Sequence, residues 1–188
     1  MINIKKAAYV EGMGLRLRNA VVSDANFIFS LRTNSDLNKY IFAVSDDVQQ
    51  QVDYLEHYKK KDNEAYFVIE DLNGLSLGTV RIYDQQGDSF CWGSWIVAPN
   101  APLRTAIKSA LLVYIYAFEY LGFSSTHFDV RQENLGVWRF HESWGATLTS
   151  QDEIDRNYTL SRTAWDETRK RFSTLIEKDG DVIVEYLS

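Results

Sequence analysis

A chain of 188 residues with 45% apolar and 24% charged side chains can bury one sizeable core, which predicts a single domain and excludes a disordered polypeptide. Its net charge of −6 supplies no long-range field for nucleic acid, and one cysteine with three scattered histidines spells out neither a disulfide nor a metal cluster, so a metal-free protein of the reducing cytoplasm is expected. No apolar run approaches the ~18 residues that span a bilayer, and the segment Met1-Ile-Asn-Ile-Lys-Lys6 lacks the apolar stretch and cleavage site of an export signal, so no membrane partner is expected either.

Leu15-Arg-Leu-Arg-Asn-Ala20 alternates apolar and polar and predicts a half-buried strand. Ser23-Asp24 offers an N-cap for a helix over 25–33, and a second helix is predicted from Ser45, with Val48, Val52, Leu55 and Tyr58 on one face and Lys59-Lys-Lys61 at its end. Ala65 to Glu70 and Leu77 to Tyr83 flank Asp71-Leu-Asn-Gly74, a strong hairpin signal, and Phe90 to Val97 follows the Gln85-Gln-Gly-Asp88 turn. These three strands predict an antiparallel meander, with Gly93 marking a bulge or a close backbone approach.

From Thr105 the apolar period becomes helical through Ile107, Ala110, Leu111, Tyr114, Phe118 and Leu121, and Gly122 stands where a left-handed C-terminal residue belongs. Both prolines of the chain, Pro99 and Pro102, lie in the loop just before this helix. A strand over 126–130 and a helix capped by Asn134 follow, with Val137, Phe140, His141 and Trp144 on the inner face. The order strand, helix, strand, helix is a βαβα unit, so the expected fold is α+β with a mixed sheet: an antiparallel meander joined to a parallel crossover. Beyond it, 158–161 reads as a strand, 163–172 as a helix, and 175–187 as a hairpin turning at Asp179-Gly180 or as an interface arm.

Four stretches, in order, carry a family likeness. Asn134-Leu-Gly-Val-Trp-Arg-Phe-His-Glu-Ser-Trp-Gly-Ala146 resembles the GNAT (Gcn5-related N-acetyltransferase) pattern of Asn, five residues, Phe, Tyr or His, Glu, two residues, Gly, then an aromatic or Ala. Leu17 to Ala20 with Ser23 to Arg32, Trp92 to Pro99, and Tyr158 to Trp165 resemble the first strand and helix, the acyl-CoA strand and the closing strand of its RimJ/RimL-like branch. The resemblance covers about residues 15–172 of one domain spanning 1–188, leaving 173–188 as a C-terminal extension.

The resemblance implies the GNAT acyl-CoA N-acyltransferase fold and an acetyl-CoA-dependent transfer to a primary amine by direct attack in a ternary complex. It implies that Trp95, Ile96 and Val97 offer backbone groups to the pantetheine arm, and that Arg104, Thr105, Ala106, Ile107 and Lys108 receive the pyrophosphate at a helix N-terminus. The family loop carries Arg or Gln, two residues, Gly, one residue, then Gly or Ala; Leu103, Ala106 and Lys108 stand at those positions here. Arg104 and Lys108 are either point charges for the phosphates or solvated helix-start cations.

His141 occupies the position of a tyrosine that in relatives protonates the leaving thiolate; it either serves as that acid or fills the helix face beside Phe140 and Trp144. Asn134 is either a plain cap or a cap that also contacts the cofactor arm. Cys91 replaces a glutamate used as base in some relatives and reads as a buried structural thiol, while His127 and Asp129 share one strand face as a proton relay or a paired polar surface. Tyr83, Asp84, Trp95 and the segment 38–44 are candidates for an acceptor pocket. The acceptor is a small-molecule or peptide amine: a protein N-terminus, an aminoglycoside, a polyamine or a nucleotide-linked amino sugar. A homodimer is compatible with the family. Two other readings stand: a non-catalytic acyl-CoA-binding or regulatory module, and an interaction module that uses the tail.

Overall fold

The computed structural model describes residues 2–37, 39–40 and 47–187. Its strands are β1 (Ala7–Gly12), β2 (Leu15–Asn19), β3 (Ala65–Asp71), β4 (Ser76–Gln86), β5 (Ser89–Val97), β6 (Ser125–Arg131), β7 (Thr147–Gln151), β8 (Asp155–Ser161) and β9 (Ile183–Tyr186). The helices are α1 (Ala25–Thr33), α2 (Val48–Tyr58), α3 (Thr105–Tyr114), α4 (Leu135–Ser143), α5 (Arg162–Arg171) and α6 (Ser173–Glu177). All nine strands join one sheet in the order β7-β8-β6-β5-β4-β3-β2-β1-β9.

The pairs from β1 through β5 are antiparallel, β5 and β6 are parallel, and β8 returns antiparallel to β6. This is the expected meander joined through α3 to a parallel crossover. Strand β3 shows why it lies inside the sheet: Ala65, Phe67 and Ile69 enter the main core while Tyr66 and Val68 enter a second core under α1 and α2. A period of two with both faces apolar requires layers on both sides.

Local chemistry sets the ends of the elements. Asp47 accepts from the Gln49 amide at 2.8 Å and caps α2, while the expected starting residues Ser45 and Asp46 lie outside the described residues. Asp24 occupies the N-cap position of α1, but its carboxylate serves the Val21 amide and the Arg18 guanidinium instead of the helix. After Tyr114 the long helix widens into a π-helical segment over Ile115–Tyr120 and ends at Gly122, φ +83°, as the left-handed reading requires.

Three features correct the sequence reading. Residues 7–12 form β1, and 147–151 form β7, whose side chains are all exposed and so carry no apolar alternation to read. The tail is not a hairpin: α6 is followed by β9, which lies along the outer edge of β1 in the same chain. On α4 only His141 is fully buried, with Trp144 buried just beyond the helix; Val137 and Phe140 are half-buried at the rim of a cavity or against neighbouring rings.

Candidate active site

A bulge and a parting of strands create the site. From the pair Thr79–Ile96 to the pair Arg81–Gly93, β5 spends three residues against two of β4, and Ser94 takes φ +48° in the extra position. Thr79 Oγ1 donates to the Ser94 carbonyl at 2.9 Å and holds the kink. Beside it the two backbones come so close that a Cβ on Gly78 would lie 2.2 Å from the Ile96 carbonyl oxygen. On its other side β5 pairs with β6 only at Ser89–Ser125 and Phe90–Thr126, where Thr126 Oγ1 donates to the Phe90 carbonyl at 2.7 Å. Beyond Phe90 the strands diverge.

The wedge between them opens a cavity of about 380 Å³, a volume suited to a small-molecule group. Cys91, Trp92 and Trp95 of β5 form one wall, Phe128 and Asp129 of β6 the other, and His141 of α4 reaches in from the side. Arg32, Asp36, Leu37 and Tyr40, after or at the end of α1, close the outer rim.

His141 is 5% exposed, its ring 4.2 Å from Phe128 and 5.4 Å from Trp92, centre to centre, and its Nδ1 has no hydrogen-bond partner. Burial pushes its pKa down to about 3, so the imidazole is neutral at pH 7. A neutral ring is a fixed hydrogen-bond donor or acceptor rather than a source of protons. Cys91 is buried and its thiol is pushed up to about 11, chiefly by burial, so it is no base. The Tyr83 hydroxyl also lines the cavity; burial first, then the neighbouring thiol, raise its pKa, and Arg81 stacks over its ring at 4.1 Å.

Trp95 lies on the cavity wall, and its Nε1 donates to Ser109 Oγ at 3.1 Å, tying β5 to α3. Ile96 and Val97 continue β5 toward the loop at 98–104, pairing with Thr79 and Gly78. At the loop's end the Pro102 carbonyl accepts from both the amide and the hydroxyl of Thr105, at 3.1 and 2.7 Å. Arg104 takes φ +71° at the N-cap, a left-handed position that glycine fills most easily. The amides of Ala106 and Ile107 at the first turn find no acceptor among the described residues. Lys108 extends toward the β1–β2 turn, where a Cβ on Gly14 would sit 3.9 Å from its Nζ.

Asn134 is the N-cap residue of α4 by position, but its side chain makes no capping bond and lines the cavity. Asp84 stands outside the cavity, in a second bulge at φ +47°, and accepts from His127 Nε2 at 3.2 Å; that bond holds its carboxyl below the usual range. His127 also meets Ser89 Oγ at 2.7 Å, so it forms a paired surface group, while Asp129 two residues on reaches the cavity rim. Of the segment 38–44 only Lys39 and Tyr40 are described, and Tyr40 lines the rim. Arg32, Asp36 and Arg131 escape sequence reasoning because charged residues at helix ends and strand ends look alike whether they face a cavity or water. Among the described residues no group of His, Cys, Asp and Glu is placed to hold a metal, and no helix is long and apolar enough to cross a membrane.

A family model described as an acetyltransferase (GNAT) domain matches residues 14–147. The apo structure of FdhC, described as a nucleotide-linked sugar GNAT, superposes with a TM-score of 0.77 at 36% identity, over 93% of this chain and 99% of that one. Two more distant structures share the fold. A GCN5-related N-acetyltransferase from Brucella melitensis has a TM-score of 0.74 at 16% identity over 90% of this chain and 86% of that one. A spermidine N-acetyltransferase from Vibrio cholerae, in complex with CoA and spermine, has a TM-score of 0.69 at 20% identity over 81% and 98%. No curated protein matches significantly by sequence. The chain belongs to the GNAT family of acetyltransferases.

Proposed function

We propose that this chain is an acetyl-CoA-dependent N-acetyltransferase whose acceptor is the primary amine of an amino sugar carried on a nucleotide. The observation that carries the acyl-transfer reading is the parted edge of β5 beyond Phe90, which leaves main-chain groups facing a 380 Å³ cavity. The acceptor class is supported by the 36% identity, over nearly the whole of both chains, to a nucleotide-linked sugar GNAT.

Acetyl-CoA supplies a thioester carbonyl. The β5 main chain at Trp95 to Val97 receives the pantetheine arm, and an amide there takes the oxyanion that develops on attack. The free amides of Ala106 and Ile107, with Arg104 beside them, receive the pyrophosphate. Asp129 accepts one proton from the incoming ammonium, through water, and passes it to solvent. The amine nitrogen bonds the carbonyl carbon, the C–S bond breaks, and the second nitrogen proton goes to the departing thiolate. His141, neutral and held by Phe128 and Trp92, donates a hydrogen bond to that sulfur, and the Asn134 amide contacts the arm. Tyr83 lines the acceptor side.

The test is thiol release from acetyl-CoA with a panel of nucleotide-linked amino sugars, polyamines, aminoglycosides and peptides. Turnover concentrated on the nucleotide-linked sugars is expected; release no faster than hydrolysis with every amine overturns the reading. A second reading, a non-catalytic acyl-CoA-binding module, draws on the protonated Cys91 thiol and the loop without glycines. It predicts acetyl-CoA binding by calorimetry with no turnover of any acceptor.

A further inference from the structure

A second cavity, of about 220 Å³, lies between α1, the start of α2 and β4. Arg32, Arg81, Gln51, Tyr54 and the carboxylate-bearing Asp47 line it. Arg32 belongs to both cavities, and Arg81 stacks on Tyr83 of the first, so the two spaces adjoin.

Several donors around this space lack a partner. Arg32 Nε, Arg81 Nε and Gln51 Nε2 are buried without a hydrogen-bond partner, as is the Tyr66 hydroxyl, which lies beside Arg32; Gln51 is only 8% exposed. Among the described residues neither arginine has a carboxylate within 4.0 Å. Two acidic groups beside this cavity are engaged: Asp47 accepts from the Gln49 amide at 2.8 Å, and Glu64 accepts from the Tyr54 hydroxyl, to which Arg81 Nη1 donates at 3.0 Å; Asp36 lines the first cavity with Arg32. The α2 N-terminus adds the positive end of an 11-residue helix on the same side. Buried donors are nearly always paired in folded proteins. Here three unpaired N–H groups belong to residues that share one cavity.

We infer that this second cavity is an anion subsite that receives the phosphates of the acceptor while its amine lies in the first cavity. The inference rests on the proposed nucleotide-linked acceptor for the source of the phosphates, but the geometry itself calls only for a phosphate-like anion. Two guanidinium groups and a primary amide match a diphosphate, whose oxygens take several N–H donors at once. With acetyl-CoA at α3 and the phosphates at α2, the acceptor spans from Arg81 past Arg32 to the thioester.

The experiment is calorimetry with inorganic pyrophosphate, in excess CoA so that the α3 end is already filled, on the wild type and on Gln51→Leu, Arg81→Gln and Arg81→Lys. Binding by the wild type, weakened about tenfold or more in Arg81→Gln and less in Arg81→Lys, is expected. In kinetics pyrophosphate should compete with the nucleotide-linked acceptor and not with acetyl-CoA. The acceptor KM should rise in Gln51→Leu while acetyl-CoA affinity stays within about twofold, a pattern that simple loss of packing does not give. No wild-type binding at about 10 mM pyrophosphate, or equal binding by all variants with unchanged melting temperature, overturns the subsite. If pyrophosphate binds as expected and no nucleotide-linked sugar is acetylated, the subsite stands and the proposed acceptor fails. If such sugars are acetylated and the variants bind like the wild type, the subsite alone fails.

Discussion

The buried imidazole of His141 makes stability depend on pH in a way that one substitution isolates. Its pKa falls from 6.5 in an exposed chain to about 3 in the fold. Between these values the unfolded chain binds a proton that the folded protein refuses, so stability is complete above about pH 6.5 and declines as pH falls toward 3. Going from pH 7 to pH 5, the unfolded-state protonation grows by roughly 1.4 pH units' worth of free energy, or about 2 kcal/mol. The group is buried, so solvent screening takes little from that figure. Urea melts of wild type and His141→Phe at both pH values test it. The wild type should lose about 2 kcal/mol more than the variant between pH 7 and 5, whatever the packing cost of the phenyl ring at either pH. Parallel losses in the two proteins would refute the neutral, desolvated imidazole. The same neutrality predicts that the rate of acetyl transfer shows no titration assignable to His141 near pH 6.5.

Four further outcomes follow from local geometry. Gly78→Ala places a Cβ 2.2 Å from the Ile96 carbonyl, so β4 and β5 must part; a loss of about 2–3 kcal/mol in urea melts and weaker acetyl-CoA binding are expected. Gly136→Ala on α4 meets nothing within 4 Å and should instead raise stability by about 0.5–1 kcal/mol. Arg104→Gly relieves a left-handed φ of +71° and should melt no lower than wild type while binding acetyl-CoA less tightly in calorimetry; a lower melting temperature contradicts the strain. Cys91, with its thiol pushed up to about 11, should react with dithiobis(nitrobenzoate) at pH 8 only after denaturation, and Cys91→Ala should keep its turnover.

The elements that sequence made legible are those with a strong period or punctuation: the meander around Asn73-Gly74, the long helix to Gly122, and the capped helix carrying His141. β7 was not legible because a fully exposed edge strand has no apolar face, and β9 was not because its partner β1 lies over 170 residues away in the chain. The family itself was legible in the Asn134 to Ala146 pattern and its neighbours. Positions along β5 and α4 that line the cavity could be found from that pattern. On the rim, Tyr40 falls in the segment 38–44 that was a pocket candidate, but Arg32 and Asp36 could not be found, since they reach the cavity only after the chain folds around α1. Nor could the parting of β5 from β6 beyond Phe90, although the neighbouring bulge at Ser94 was announced by Gly93 beside it.

That bulge divides the labour of the molecule unevenly between backbone and side chains. The opening is made by the φ of Ser94, the bare Cα of Gly78 and the early end of strand pairing, and none of these depends on which side chains face the gap. The residues around the rim are therefore free to change without closing it. On the proposed function, this frame is a chuck that holds many bits, and laboratory reprogramming of the acceptor should begin at Arg32, Asp36 and Tyr40 rather than on β5.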